Sequence, residues 1–123
     1  MSTANKETGT IGENYACEYL KRQNITVLER NWRCQAGEAD IIAYDDDTLV
    51  FIEVKTRRSI AAGFPEESVT RNRRRRYEAI AVYYLSQSNM PSCRVRFDVI
   101  SIIITGEQQV FLKHHVDVFS SGE

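Results

Sequence analysis

Asp40, Glu53 and Lys55 are the residues of this 123-residue chain whose types and spacing best suit a chemical reaction. Glu53 and Lys55 interrupt an apolar stretch two positions apart. Strand side chains alternate between faces, so the two project the same way, and Val50, Ile52 and Val54 project the other way, into a core. Asp40 opens the preceding apolar stretch, DIIAY. If the two stretches pair as a hairpin around Asp45-Asp46-Asp47, the start of the first lies beside the end of the second. Asp40 then meets Glu53 and Lys55 at one end of a sheet. Two carboxylates and an ammonium placed so suit metal-assisted hydrolysis of a phosphodiester. Mg²⁺, or Mn²⁺ in its place, is held by one or two carboxylates together with waters and phosphate oxygens. Such a metal polarises the scissile phosphate and lowers the pKa of a bound water. Lys55 positions or activates that water and balances charge at phosphorus. Glu13 is a further carboxylate able to reach the site as an outer or second-metal ligand. Each residue also has a plainer reading. Glu13 completes a helix capping box, Asp40 is an acid near a turn, and Glu53 with Lys55 is an exposed strand face with cross-strand charge pairing.

The second chemical signal is basic. Between residues 55 and 76 lie Lys55, Arg57, Arg58, Arg71, Arg73, Arg74, Arg75 and Arg76, against only Glu66 and Glu67. That segment carries +6 in a chain of net charge -1, leaving -7 elsewhere. The run from Arg71 to Arg76 falls in the first turns of an expected helix, where cations oppose the helix macrodipole. Helix stability therefore does not account for it. Arginines contact phosphates bidentately, so the cluster is an expected nucleic-acid-binding face. A solvated basic helix face is the bland alternative.

These groups need a scaffold. Thr10 and Glu13 have capping-box spacing, so a helix is expected from Thr10, with Ile11, Tyr15, Ala16, Tyr19 and Leu20 along one stripe and Asn24 ending it. Residues 25–30 read as a strand, 32–37 as a loop, 40–44 as a short strand and 48–55 as the strongest strand. Residues 57–68 read as a long loop. Ser68 or Thr70 would cap a second helix bearing the stripe Tyr77, Ile80, Ala81, Tyr84 and Leu85. Residues 94–104 and 109–113 complete the strands. The expected order is α-β-β-β-α-β-β in one domain over residues 10–119, between flexible tails at 1–9 and 120–123.

Composition bounds the function. A hydrophobic fraction of 42% and a charged fraction of 27% describe an ordinary globular domain. Cys17, Cys34 and Cys93 have no zinc-site spacing and read as reduced, mostly buried thiols. His114 and His115 read as surface residues. The polar N-terminus lacks an apolar signal segment, and no apolar run is long enough to span a membrane, so a cytoplasmic protein is expected.

Several blocks are recognisable. Gly12-Glu13 with Ala16, Tyr19-Leu20, Arg30-Asn31-Trp32-Arg33, Gly37-Glu38-Ala39-Asp40, the stretch from Val50 to Arg57, and Arg96-Phe97-Asp98-Val99 resemble the signature blocks of the YraN-like family. This is a bacterial family predicted to be nucleases. The resemblance covers residues 11 to 119. That family is similar in pattern to the archaeal Holliday-junction resolvases and to the PD-(D/E)xK, restriction-endonuclease-like superfamily. The resemblance implies an α/β fold with a core α-β-β-β-α-β, here with an added C-terminal strand, and a mixed sheet flanked by helices. It implies Glu13 as the helix carboxylate, Asp40 as the central acid, and Glu53 and Lys55 as the Glu-x-Lys pair. It implies Mg²⁺ or Mn²⁺ on Asp40, Glu53 and Glu13. This chain departs from the family in two places. Ala39 stands where Ile or Leu is usual, and arginines, Arg73 among them, stand where the second helix usually starts with a lysine.

The expected function is a structure-directed, metal-dependent endonuclease acting on DNA, with RNA open. The alternatives are a non-catalytic nucleic-acid-binding module and a subunit of a DNA-processing complex. A homodimer suits an enzyme that must cut two strands.

Overall fold

The stretch at 49–52 is apolar on both faces because it lies in the middle strand of a five-stranded sheet. The computed structural model describes residues 3–58, 71–90, 93–107 and 109–119, with side chains from residue 6. Its elements are α1 (Thr3–Arg22), β1 (Thr26–Cys34), β2 (Gly37–Asp45), β3 (Thr48–Arg57), α2 (Arg71–Gln87), β4 (Arg94–Ile104) and β5 (Val110–His115). The strands lie in sequence order. All neighbours are antiparallel except β3 and β4, which run parallel across the segment that contains α2. The order α-β-β-β-α-β-β and the mixed sheet with helices on its faces match the expected α/β architecture.

Each helix covers one face. On one side Ala16, Cys17 and Leu20 of α1 pack with Ile41, Ala43, Val50, Ile52, Ile100 and Ile102. On the other, Tyr77, Ile80, Ala81 and Tyr84 of α2 pack with Ile42, Leu49 and Phe51. The two apolar stripes are those expected from helical spacing, with one exception. Tyr15 is exposed, and Cys17 takes its place in the core.

Four expectations need correction. First, α1 starts at Thr3 and takes in residues 3–9, which were expected to form a tail. Thr10 and Glu13 therefore lie within the helix, and the capping-box spacing marks no terminus. Second, residues 32–34 are strand, and β1 joins β2 through Gln35 and Ala36 alone. The irregularity that obscures the strand is local: a register shift between Val27 and Glu29, and Asn31 at φ 52°. Asn tolerates that left-handed conformation better than other non-glycine residues. Third, only Cys17 is buried, and Cys34 and Cys93 are half-buried; all three are free thiols. Fourth, His114 and His115 are half-buried rather than surface residues. Other turn signals hold: Asn24 ends α1 at φ 63°, and Asp46 turns the β2–β3 hairpin at φ 61°. The long loop beyond Arg58 and the Ser68 or Thr70 cap lie outside the described residues, as do residues 120–123. No helix among the described residues is long and apolar enough to cross a membrane.

His114 belongs to a buried network around Asp98. The Asp98 carboxylate accepts from Arg96 Nε and Nη2, both at 3.0 Å, from His114 Nε2 at 2.8 Å and from the Asp117 backbone N–H at 2.9 Å. His114 Nδ1 is then left to accept the Tyr19 hydroxyl at 2.9 Å, which ties α1 to β5. Burial alone would raise the Asp98 pKa, but the bonds from His114, Arg96 and Asp117 hold it below the usual carboxylate range. A lowered pKa means stability present above the unfolded value and lost as pH falls through the folded one. Asp98→Ala leaves His114 without its carboxylate and Arg96 with Asp45 alone, at 3.2 Å, so a loss of about 3 kcal/mol is expected in urea titration. An unchanged midpoint would exclude this network as a fold determinant.

Helix α1 approaches β3 at Gly12. A Cβ built there would overlap Thr56 Oγ1. Only glycine permits so close an approach, and Glu13 is the next residue. Gly12→Ala is expected to lower stability by about 1–3 kcal/mol through overpacking, read as a drop in Tm, and to displace Glu13. A Tm equal to that of the native chain would show that α1 can yield here without cost.

Candidate active site

The hairpin register brings the expected acids together. Ile41 pairs with Ile52 in β2–β3, so Asp40 lies just before the last pair and Glu53 just after it. Asp40 Oδ2 accepts the Val54 backbone N–H at 2.8 Å, which fixes this carboxylate against the end of β3. Asp40 and Glu53 line one cleft with Gly37, Glu38, Arg76 and Tyr77, of about 310 Å³.

The two carboxylates differ electrically. Burial raises the Asp40 pKa to about 6. The Val54 hydrogen bond opposes this, and the negative charges of Glu13, Glu53 and Glu38 reinforce it. Burial would raise Glu53 too. There, hydrogen bonds from Tyr77 and Arg73 and the charges of Arg73 and Lys55 outweigh it, and the pKa falls below its ordinary value. Tyr77 donates its hydroxyl to Glu53 Oε1 at 2.5 Å, and the Arg73 guanidinium pairs with the same oxygen. Burial and the bond to Glu53 push the Tyr77 pKa up. At neutral pH Glu53 is thus held ionised, and Asp40 lies close to its protonation point.

The remaining expected residues fall at different places. Lys55 shares the Glu53 face, two residues further along β3, and its charge acts on Glu53. Glu13 of α1 lies on the flank of the site rather than in the cleft lining. Its charge acts on Asp40, and it is held by the Asn31 side chain and by Arg30 Nη2 at 3.7 Å. Burial raises its pKa, against the hydrogen bond from Asn31 and the charge of Arg30. Among the arginines, Arg76 lines the cleft and Arg73 pairs with Glu53. Arg74 pairs with Glu78 at 3.6 Å, and Arg71 and Arg75 are exposed on α2. Arg57 is exposed at the end of β3, on the Lys55 face by strand alternation. Arg58 turns away: its Nε donates to Thr8 Oγ1 of α1 at 2.7 Å, so it does not join the basic face.

Three contributors are not among the expected site residues, although Glu38 and Asn31 lie within recognised blocks of the sequence. The helical spacing of Tyr77 assigns it to the core, yet its hydroxyl serves Glu53; it follows Arg73 by four residues, the spacing that stacks two side chains on one helix face. Glu38 lines the cleft while its carboxylate meets Arg33 at 3.5 Å. Asn31 holds Glu13 from a left-handed position in β1. Its one signal in the sequence is its place in the Arg30-Asn31-Trp32-Arg33 block.

Among the described residues no three His, Cys, Asp or Glu side chains converge into a ready-made metal cage. The donor set instead fits a hard cation that keeps much of its water shell. Asp40 and Glu53 offer two carboxylates, the number by which Mg²⁺ or Mn²⁺ would commonly be held alongside water. The carboxylate repulsion that adds to burial at Asp40 is what a divalent cation would relieve.

The model of a family described as "Uncharacterised protein family UPF0102" matches residues 12–102. The chain is similar to proteins named as UPF0102 proteins across distant bacteria. It is 40% identical over 105 residues to one from Caldicellulosiruptor saccharolyticus, covering 85% of this chain and 89% of that one. It is 43% identical over 115 residues to one from Rhodococcus opacus, covering 94% and 98%. It is 43% identical over 115 residues to one from Geotalea daltonii, covering 94% and 91%.

Proposed function

The chain belongs to the uncharacterised protein family UPF0102, and within that family we propose that it is a metal-dependent nuclease of the PD-(D/E)xK type, cutting DNA by structure rather than by sequence. One observation carries the reading. Asp40, raised to about 6 by burial and by three neighbouring carboxylates, shares a cleft with an ionised Glu53. Lys55 stands beside them on the same strand face. Two half-buried carboxylates in one cleft, one of them pushed up by its neighbours' charges, suit a site that takes up a cation and a phosphodiester.

Bound to Asp40 and Glu53, Mg²⁺ or Mn²⁺ supplies Lewis-acid polarisation of the phosphate and a water of lowered pKa. The protein's own part is positional. The Val54 N–H aims the Asp40 carboxylate, while Tyr77 and Arg73 fix the rotamer of Glu53. Lys55 presents an ammonium on the same side, where it can orient the attacking water and offset charge as the phosphorus becomes pentavalent. Arg76 at the cleft and the exposed Arg71 and Arg75 offer guanidinium groups to flanking phosphates. Glu13 tunes Asp40 and is available as an outer carboxylate. A C2 dimer would set two such clefts against the two strands of one substrate.

Cleavage of labelled single-stranded, duplex, flapped and four-way-junction DNA tests the reading. Cutting is expected with Mg²⁺ or Mn²⁺ and its absence in EDTA, with one DNA shape preferred. A second reading, a binding module without catalysis, draws on the exposed arginines alone. Metal-independent binding with no cutting of any shape would favour it.

A further inference from the structure

The fold satisfies its buried polar groups with care at Asp98, yet among the described residues three side-chain atoms are buried without a hydrogen-bond partner: Thr56 Oγ1, Ser101 Oγ and His115 Nε2. Thr56 is explained by its packing against Gly12. The other two are not explained by packing, and they lie together. Ser101 of β4 is opposite Lys55 of β3 and opposite Lys113 of β5. His115 pairs with Val99, which is opposite Glu53, so it is the diagonal neighbour of Ser101 on the face that carries Glu53 and Lys55. Register partners share a face, and that face is the one on which the reaction is placed. Ser101 is 1% exposed. A hydroxyl without a partner at that depth costs about 1–3 kcal/mol, and alanine at the same place would cost nothing of the kind. Such a group needs an explanation other than stability.

We propose that Ser101 is a positioning residue for Lys55. When substrate fills the cleft, the Lys55 ammonium turns across to its cross-strand neighbour, and Ser101 Oγ accepts one of its hydrogens. The remaining two N–H donors are then fixed toward the phosphate and the attacking water. Ser101 touches neither substrate nor metal. Its burial excludes a direct contact and suits a group that acts through another side chain. This rests on the nuclease reading and adds to it a residue that no sequence motif marks.

The test uses the full chain as native protein, Ser101→Ala and Ser101→Thr, bound to a short duplex in EDTA so that nothing is cut. The order parameter of the Lys55 ε-methylene is read by NMR. It is expected to be high in native protein and in Ser101→Thr, and low in Ser101→Ala. In single-turnover cleavage with Mn²⁺, Ser101→Ala is expected to lose roughly tenfold in the chemical step with unchanged half-saturation, and Thr to restore it. Ser101→Ala should also unfold at no lower a temperature than native protein, which separates this role from a structural one. Equal Lys55 order in native protein and Ser101→Ala overturns the proposal. A native protein that binds duplex and never cuts any DNA overturns the nuclease reading instead, and the Lys55 comparison still decides whether Ser101 holds it.

Discussion

Asp40→Asn is expected to abolish metal-dependent cleavage while making the protein more stable. The loss should be roughly a thousandfold, the upper end of what removing one preorganised electrostatic group costs. Binding of DNA should survive, because the arginines of α2 are untouched. Stability should rise because native Asp40 is in the wrong charge state for its surroundings. Its folded pKa is about 6 against an ordinary 3.8. A carboxylate raised in the fold contributes favourably below its unfolded pKa, and that contribution is lost as pH rises through the folded one. The ionised form therefore burdens the fold above pH 6 by on the order of 2–3 kcal/mol. Asparagine keeps an oxygen for the Val54 N–H and sheds the charge. The difference in unfolding free energy between Asp40→Asn and native protein should be small near pH 4, grow to pH 6 and then level off. Mg²⁺ should raise the Tm of native protein at pH 8 and leave that of Asp40→Asn unmoved, since only a cation bound to the folded state stabilises it. Glu53→Gln should lose cleavage to a similar degree without the gain in stability, because its charge is already paired with Arg73. If Asp40→Asn is the less stable protein at pH 8, or if it cuts at the native rate, the assignment of Asp40 to the site does not stand.

This pair of outcomes turns on a hairpin that is legible in the sequence. The Asp45-Asp46-Asp47 turn and the two apolar stretches each signal locally, and period-two alternation then places Glu53 and Lys55 on one face. The two helices are legible from apolar spacing. The start of α1 is not, because the residues before Thr10 are polar, and polar residues continue a helix without leaving a periodic trace. Residues 32–34 of β1 are not, because Asn31 breaks the alternation part-way along the strand. The network at Asp98 joins residues 19, 96, 98, 114 and 117, and no spacing rule links them; only the β4–β5 register does. The same limit hides Ser101 and separates Arg58 from the other arginines. Arg58 adjoins Arg57 in sequence, yet alternation sends it to the α1 side of the sheet.

The arginines of α2 divide by partner, and replacing them should divide the phenotype. Arg71, Arg75 and Arg76 are exposed, and Arg76 reaches the cleft. Replacing these three by alanine is expected to weaken binding of duplex DNA by roughly one to three orders of magnitude near 0.1 M salt. The slope of log affinity against log salt should fall by about one for each phosphate that the variant no longer neutralises. The helix itself should not suffer, since cations in its first turn oppose the macrodipole and alanine is the better helix former. Arg73→Ala should behave differently. Arg73 is turned inward onto Glu53 and is only 11% exposed. Its removal leaves Glu53 with the Tyr77 hydroxyl as its main hydrogen-bond donor and raises the Glu53 pKa toward the ordinary range. The expected result is slower cleavage at both pH 6 and pH 8, because the Glu53 carboxylate is no longer clamped by the guanidinium, with a salt slope close to native. Filter binding over a salt series, alongside cleavage rates at pH 6 and pH 8, separates the two. An equally reduced salt slope in Arg73→Ala would mean that its guanidinium leaves Glu53 for the substrate, and the division between a phosphate face and a carboxylate clamp would have to be abandoned.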